Sequence, residues 1–199
     1  YPGDIVCAGP KYQYAYAADL VHLDAVNYRR LGEKYAEVYA RIAIEGKAWR
    51  PLQPTAAKLA GAAITVAFEV DFPPLEWEES MTPPHQAAFV QWAKGRGFEV
   101  EDSTGPITID EVTIVDTTVR IDLAAPPVGT GLVVRYAMTQ DVNSYAGGVP
   151  GGRRGQLRDS DPFVGRDAAD IECNVTASAP TIAAVTPGAF AERGIGDLV

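Results

Sequence analysis

Histidine and cysteine are scarce in this chain: His22 and His85, Cys7 and Cys173, among 199 residues. Two cysteines cannot build a disulfide scaffold. A structural zinc site takes four ligands drawn mainly from Cys and His, so neither a metal nor another cofactor is expected. Cys7 lies in the apolar run Ile5-Val6-Cys7-Ala8 and reads as a buried, reduced thiol. Positive charge is also short. With 17 Lys+Arg against 26 Asp+Glu the formal net charge is -9, which argues against a nucleic-acid partner, whose phosphates need clustered cations, and against an anionic membrane surface. No apolar run approaches the roughly 18 to 20 residues of a membrane span. The opening Tyr1-Pro2-Gly3-Asp4 lacks the basic start and apolar stretch of a signal peptide, and lacks an initiator Met. The expectation is the C-terminal part of a longer protein.

Hydrophobic residues make up 47% of the chain, enough to build a core and too many for general disorder. Residues 5–8 read as a short buried strand stopped by Gly9-Pro10. A polar-aromatic loop follows, and from Asp24 to Glu45 the pattern turns helical. Tyr28, Leu31, Tyr35, Val38 and Ile42 recur every three or four residues and so share one stripe, with Asp24 as N-cap and Gly46 as stop. Strand, loop and amphipathic helix read as the end of an α/β domain. Two prolines in Trp49-Arg50-Pro51-Leu52-Gln53-Pro54 cannot continue a helix, which places a linker there.

Beyond the linker the apolar period changes from 3.6 to 2. Residues 62–70 alternate, and 107–109, 111–115, 119–123 and 132–136 behave likewise between Gly, Pro and Asp turn signals. Short strands at such spacing predict a β-sandwich. Residues 86–94 fit a strand or a short helix equally. Residues 147–152 read as a loop and 175–187 as an extended Ala/Thr/Pro-rich tail. The expected organisation is an α/β unit over 1–48, an all-β sandwich over 49–173 and a tail over 174–199.

The sharpest chemical feature is Asp19-Leu20-Val21-His22. A histidine acting as general base needs a partner that holds its ring and stabilises the imidazolium. A carboxylate three residues earlier can fold back to Nδ1, leaving Nε2 free to take a proton. The spacing alone also fits a hydrogen-bonded loop histidine. Tyr12, Tyr14 and Tyr16 alternate beside this loop; they could stack on a sugar ring or pack against the helix.

Gly9-Pro10-Lys11-Tyr12, Asp19-Leu20-Val21-His22-Leu23 and Tyr28-Arg29-Arg30-Leu31-Gly32-Glu33 resemble the last conserved block of SGNH (GDSL-type) hydrolases. In that family an Asp-x-x-His pair precedes the final helix of a flavodoxin-like α/β domain. Residues 97–100, 133–137 and 154–162, with Pro74-Leu75, also look like the β-sandwich appended to certain phage-associated members. The resemblance implies His22 as general base and Asp19 as its orienting partner. It implies a serine esterase that removes acyl groups, acetyl above all, from carbohydrate in a virion or extracellular setting, as a homo-oligomer or with other virion proteins.

The nucleophile of that chemistry is missing here. Serines stand at 80, 103, 144, 160 and 178; none follows Gly-Asp and none fits a Gly-x-Ser-x-Gly elbow. The chain alone is therefore expected to be inert. The alternative is an inactive structural or adhesive virion module. Weaker candidates remain. Asp71, Glu76, Glu78 and Glu79 around Trp77 could be a glycosidase pair but read better as a solvated strand edge. Asp159-Ser160-Asp161 reads as a turn cap rather than an ion loop. Arg153, Arg154 and Arg158 could bind an anion but read better as local salt bridges to Asp159 and Asp161, and His85 as a loop residue.

Overall fold

Where apolar residues alternate, the chain is strand, because period two puts every second side chain on one face. The computed structural model describes residues 5–81, 83–86, 88–140 and 153–161. Among them are nine strands: β1 Gln53–Ala60, β2 Ala63–Glu69, β3 Leu75–Trp77, β4 Phe98–Asp102, β5 Gly105–Pro106, β6 Ile109–Val115, β7 Thr118–Leu123, β8 Val133–Tyr136 and β9 Leu157–Asp159. One α-helix, α1, spans Ala25–Tyr39 and continues as a π-helical turn over Ala40–Ile44. Among the described residues the regular elements are mostly strands, with this single α-helix, a sheet-rich fold. None of their helices is long and apolar enough to cross a membrane.

Two compact units divide the chain. One takes in Ala25–Trp49 with residues 5–8; the other takes in Gly9–Asp24 and the described residues from Arg50 to Asp161. In the first unit, α1 ends where Gly46 enters the left-handed region at φ 67. The Lys47 N–H closes on the Arg41 carbonyl at 2.8 Å and the Glu45 N–H on the Ala40 carbonyl at 2.9 Å, which satisfies terminal carbonyls. Residues 5–8 are not a strand. No partner strand lies beside them among the described residues; Ile5 is 73% exposed and Cys7 is exposed rather than buried. A lone extended segment has nothing to hydrogen-bond laterally, and here the Trp49 indole N–H donates to the Cys7 carbonyl at 3.0 Å.

In the second unit, a four-stranded antiparallel sheet runs in the order β1-β2-β7-β6, a three-stranded sheet in the order β5-β4-β8, and β3 pairs with β9. Gly61 supplies the positive φ (62) that the tight β1–β2 turn requires, and Asp116 (φ 54) does the same for β6–β7. The core draws on all three sheets. Ile64, Val66, Ile109, Val112, Val119, Ile121 and Leu123 come from one, Phe98 and Val100 from another, Leu75 and Leu157 from the third. Strands expected at 62–70, 111–115, 119–123 and 132–136 are β2, β6, β7 and β8 within a residue or two. The ambiguous stretch 86–94 holds a single 3-10 turn, Val90–Trp92, which buries Trp92. Residues 147–152 and 175–187 lie outside the described residues.

β1 was not anticipated, because it starts inside the expected linker and carries no alternation. Every residue of it is exposed, so neither face needs to be apolar. Pro54 is tolerated because β1 is an edge strand, paired on one side only.

Two glycines fix the junction of β8 and β9. A Cβ on Gly97 would stand 2.8 Å from the Tyr136 ring, and one on Gly155 would overlap the Tyr136 hydroxyl. Tyr136 cannot yield easily, because its hydroxyl accepts the Leu157 N–H at 2.6 Å and its ring lies 4.7 Å from that of Phe98. Gly155→Ala should therefore cost about 1–3 kcal/mol, the usual range for overpacking. A urea midpoint unchanged from wild type would show that Tyr136 has room to move.

Candidate active site

The loop carrying Asp19 and His22 is shaped by its own backbone. The Ala17 N–H donates to the His22 carbonyl at 2.8 Å and the Leu20 N–H to the Ala17 carbonyl at 2.9 Å, while Tyr16 and Leu23 form an isolated antiparallel bridge. Leu20 takes a φ of 58, uncommon for a residue with a branched side chain. That turn brings the next two amides back onto Asp19. Its Oδ1 accepts the Val21 and His22 N–H groups, both at 3.0 Å.

The other carboxylate oxygen, Asp19 Oδ2, lies 2.6 Å from His22 Nδ1. Together these hydrogen bonds, the one from His22 foremost, hold the Asp19 carboxyl well below the usual carboxylate range. It stays ionised, and an ionised partner at Nδ1 selects the tautomer with its proton on Nδ1 and a lone pair on Nε2. Nε2 makes no hydrogen bond among the described residues. Both side chains are open to solvent, at 66% for His22 and 50% for Asp19. The arrangement can take a proton from a nucleophile presented at Nε2.

The three tyrosines of the loop have separate environments. Tyr14 is buried and Tyr16 is half-buried at the bridge with Leu23. Tyr12 turns to β8, where the Tyr136 hydroxyl donates to it, and burial pushes the Tyr12 phenol up to about 12. This hydrogen bond ties the loop to β8 within the same unit. Tyr16 has a cation partner, with Lys11 Nζ 5.6 Å from its ring centre.

Among the described residues no serine hydrogen-bonds to His22. Ser80 donates to Glu78 Oε1 at 2.5 Å, Ser160 donates to the Pro74 carbonyl at 2.7 Å, and the Ser103 oxygen accepts the Thr130 N–H at 3.0 Å. Ser144 and Ser178 lie outside the described residues.

The acidic run near Trp77 is neutralised by arginine. Arg158 pairs with Glu76 at 2.5 Å and Glu78 at 3.5 Å, and Arg96 pairs with Glu79 at 2.7 Å while its guanidinium sits 5.0 Å from the Trp77 ring centre. The Ser80 hydroxyl foremost holds the Glu78 carboxyl down, the opposite of what a general acid requires. Arg158 thus pairs across the β3–β9 ladder, with carboxylates distant in sequence. Among the described residues no group of three or more His, Cys, Asp or Glu is placed to hold a metal ion.

His85 is the ionisable residue whose surroundings the sequence did not reveal. It lies in a loop at φ 66, yet its side chain is 2% exposed. Nε2 is 3.1 Å from Glu99 Oε1, and the ring meets Phe89 and Trp92 edge-on at 5.9 and 5.7 Å. Glu99, 1% exposed on β4, also accepts the Met138 and Thr139 N–H groups at 3.0 and 2.8 Å and the Thr139 hydroxyl at 2.6 Å. The only hint in the sequence is Glu99 between Phe98 and Val100, a charge inside an apolar segment.

No known protein family, curated protein or solved structure matches the chain.

Proposed function

We propose that this chain is the C-terminal part of an SGNH-type serine ester hydrolase, with His22 as general base and Asp19 as the carboxylate that orients it. The observation that carries this reading is the 2.6 Å contact between Asp19 Oδ2 and His22 Nδ1, with Nε2 left unengaged. A serine hydroxyl at Nε2 would lose its proton to the imidazole as its oxygen attacks an ester carbonyl. The imidazolium would return that proton to the departing alcohol, giving an acyl-enzyme that water then clears by the same base. The serine and the oxyanion donors come from sequence outside this chain.

The substrate class is an acylated carbohydrate, acetylated above all, in a virion or extracellular setting. In this reading residues 1–48 close a flavodoxin-like α/β domain, 49–173 form an appended β-sandwich and 174–199 a tail. The three sheets that share one core support the sandwich. A second reading, an inactive adhesive or structural module, is favoured by one observation: among the described residues nothing engages His22 Nε2, and no serine hydrogen-bonds to that ring.

The test is acetyl-ester hydrolysis by the longest natural polypeptide that contains this chain, with and without a serine-directed fluorophosphonate. Hydrolysis abolished by the reagent is the expected result. Absence of hydrolysis on acetylated glycans and on small acetyl esters alike would leave the adhesive reading standing.

A further inference from the structure

We propose that Tyr136 of β8 is a positioning residue for His22: through its hydrogen bond to Tyr12 it fixes the loop of residues 11–24 on the β-rich unit, so that this unit carries the general base. The role rests on the esterase reading and adds to it that the strands hold the base while the serine comes from outside the chain. Residues 9–24 belong to the same compact unit as the strands, and α1 belongs to the other.

The loop is a closed body. Residues Lys11–Gln13 form a 3-10 turn, with the Tyr14 N–H on the Lys11 carbonyl at 3.3 Å. Its two arms are joined by the bridge between Tyr16 and Leu23, by the Ala17 N–H on the His22 carbonyl at 2.8 Å, and by the Asp24 N–H on the Ala15 carbonyl at 3.3 Å. Asp19 closes the tip by accepting the Val21 and His22 amides. The dyad therefore takes its internal geometry from the loop alone. What the loop does not supply is its own place. A serine oxygen must stand roughly 2.6–3.2 Å from Nε2, and a misplacement of about 1 Å can cost on the order of 10²-fold in rate.

Two points set that place, one on each arm. Leu23 on the return arm is 3% exposed, but apolar burial is non-directional. Tyr12 on the outgoing arm supplies the direction by accepting the proton of the Tyr136 hydroxyl. Tyr136 is a rigid post. Its hydroxyl accepts the Leu157 N–H of β9 at 2.6 Å, which leaves its single proton for Tyr12. Its ring lies 4.7 Å from that of Phe98, its buried partner in the β4–β8 ladder, and Gly97 and Gly155 close in around it. One side chain thus joins β4, β8, β9 and the loop. Burial pushes the Tyr12 phenol up to about 12 and the Tyr136 phenol well above its ordinary value. Both stay protonated where an imidazole base titrates, so the link persists across that range.

Tyr12→Phe tests this, because it removes the loop's acceptor and leaves the bond between Tyr136 and Leu157 in place. In the 199-residue chain, the amide order parameters of residues 16–23 should fall from the ~0.85 of rigid backbone to below ~0.6. Those of β2 and β7 should hold, with the melting temperature little changed. In the parent polypeptide, kcat per fluorophosphonate-titrated site should fall at least tenfold, with KM within about twofold. The acid limb of the pH profile should stay in place, since the contact between Asp19 and His22 is untouched. A purely structural tyrosine would lower melting and leave kcat per site as it was. A loop that keeps its order in Tyr12→Phe overturns the proposal, as does a loosened loop with kcat unchanged. A rise in KM with kcat held makes Tyr12 a sugar contact and overturns it too. If the wild-type parent hydrolyses no ester, the esterase reading fails and the positioning role falls with it; an active parent that Tyr12→Phe leaves unmoved removes the positioning role alone.

Discussion

Glu99→Ala should cost about 3 kcal/mol or more of stability, because each buried donor left without its acceptor costs about 1–3 kcal/mol. Glu99 and His85 are 1% and 2% exposed, so little solvent is available to replace what is lost. Its carboxylate serves four donors: His85 Nε2, the Met138 and Thr139 amides, and the Thr139 hydroxyl. Alanine would orphan all four and leave a cavity. The imidazole is most exposed to this loss, because its Nδ1 is buried without a hydrogen bond. Urea unfolding should show the midpoint falling with the slope unchanged. A loss below about 1 kcal/mol, the scale of one ordinary hydrogen bond, would mean that water or a rearranged loop takes over all four donors.

The same pair gives stability a pH dependence. Burial pushes the Glu99 carboxyl up, but the hydrogen bonds from His85 and Thr139 outweigh it and leave the carboxyl below its ordinary 4.5. A group whose pKa is lower folded than unfolded stabilises the fold above its unfolded value, and that contribution disappears as the pH drops through the folded value. Wild type should therefore exceed Glu99→Gln most at neutral pH, and the gap should close on acidification below about 4.5. A gap that widens in acid would mean that Glu99 is protonated in the native protein.

His22→Ala, made in the parent polypeptide of the proposed esterase, should lower ester hydrolysis on the order of 10⁴-fold, since it removes the base that accepts the serine proton. Asp19→Asn is the more discriminating change. Its remaining amide oxygen can still accept the Val21 and His22 N–H groups, so the loop should keep its shape. Its NH₂ would face Nδ1 as a donor, forcing the proton onto Nε2 and giving the tautomer that cannot act as base. The rate should fall by orders of magnitude with dichroism and melting little changed. Full activity in His22→Ala would remove it from the mechanism. A melting loss in Asp19→Asn as large as its activity loss would reduce Asp19 to a loop-shaping residue.

The helix and the strands β2, β6, β7 and β8 were legible in the sequence because periodicity follows from backbone geometry, which does not depend on what lies across the core. The Asp turn between residues 111–115 and 119–123 and the stop at Gly46 were legible for the same reason: each needs a positive φ that few residues accept. So was the contact between Asp19 and His22, which is local, three residues apart and closed by the loop's own amides. Strands of two or three residues, such as β3, β5 and β9, carry too few positions to display a period.

Burial is a different kind of property. Ile5 and Cys7 form an apolar run as good as many strands, yet they are exposed, since a strand exists only through its neighbour. The stripe of α1 was visible, but not that Tyr28 and Tyr35 on it face outward while Glu37 is covered. His85 looked like a loop residue, and 14 positions of sequence separate it from the carboxylate it meets inside the core. The sequence by itself determined local conformation and the dyad, because both are settled within a few residues. Only the tertiary structure decided which faces are buried and which charges meet, because those depend on segments brought together from far along the chain.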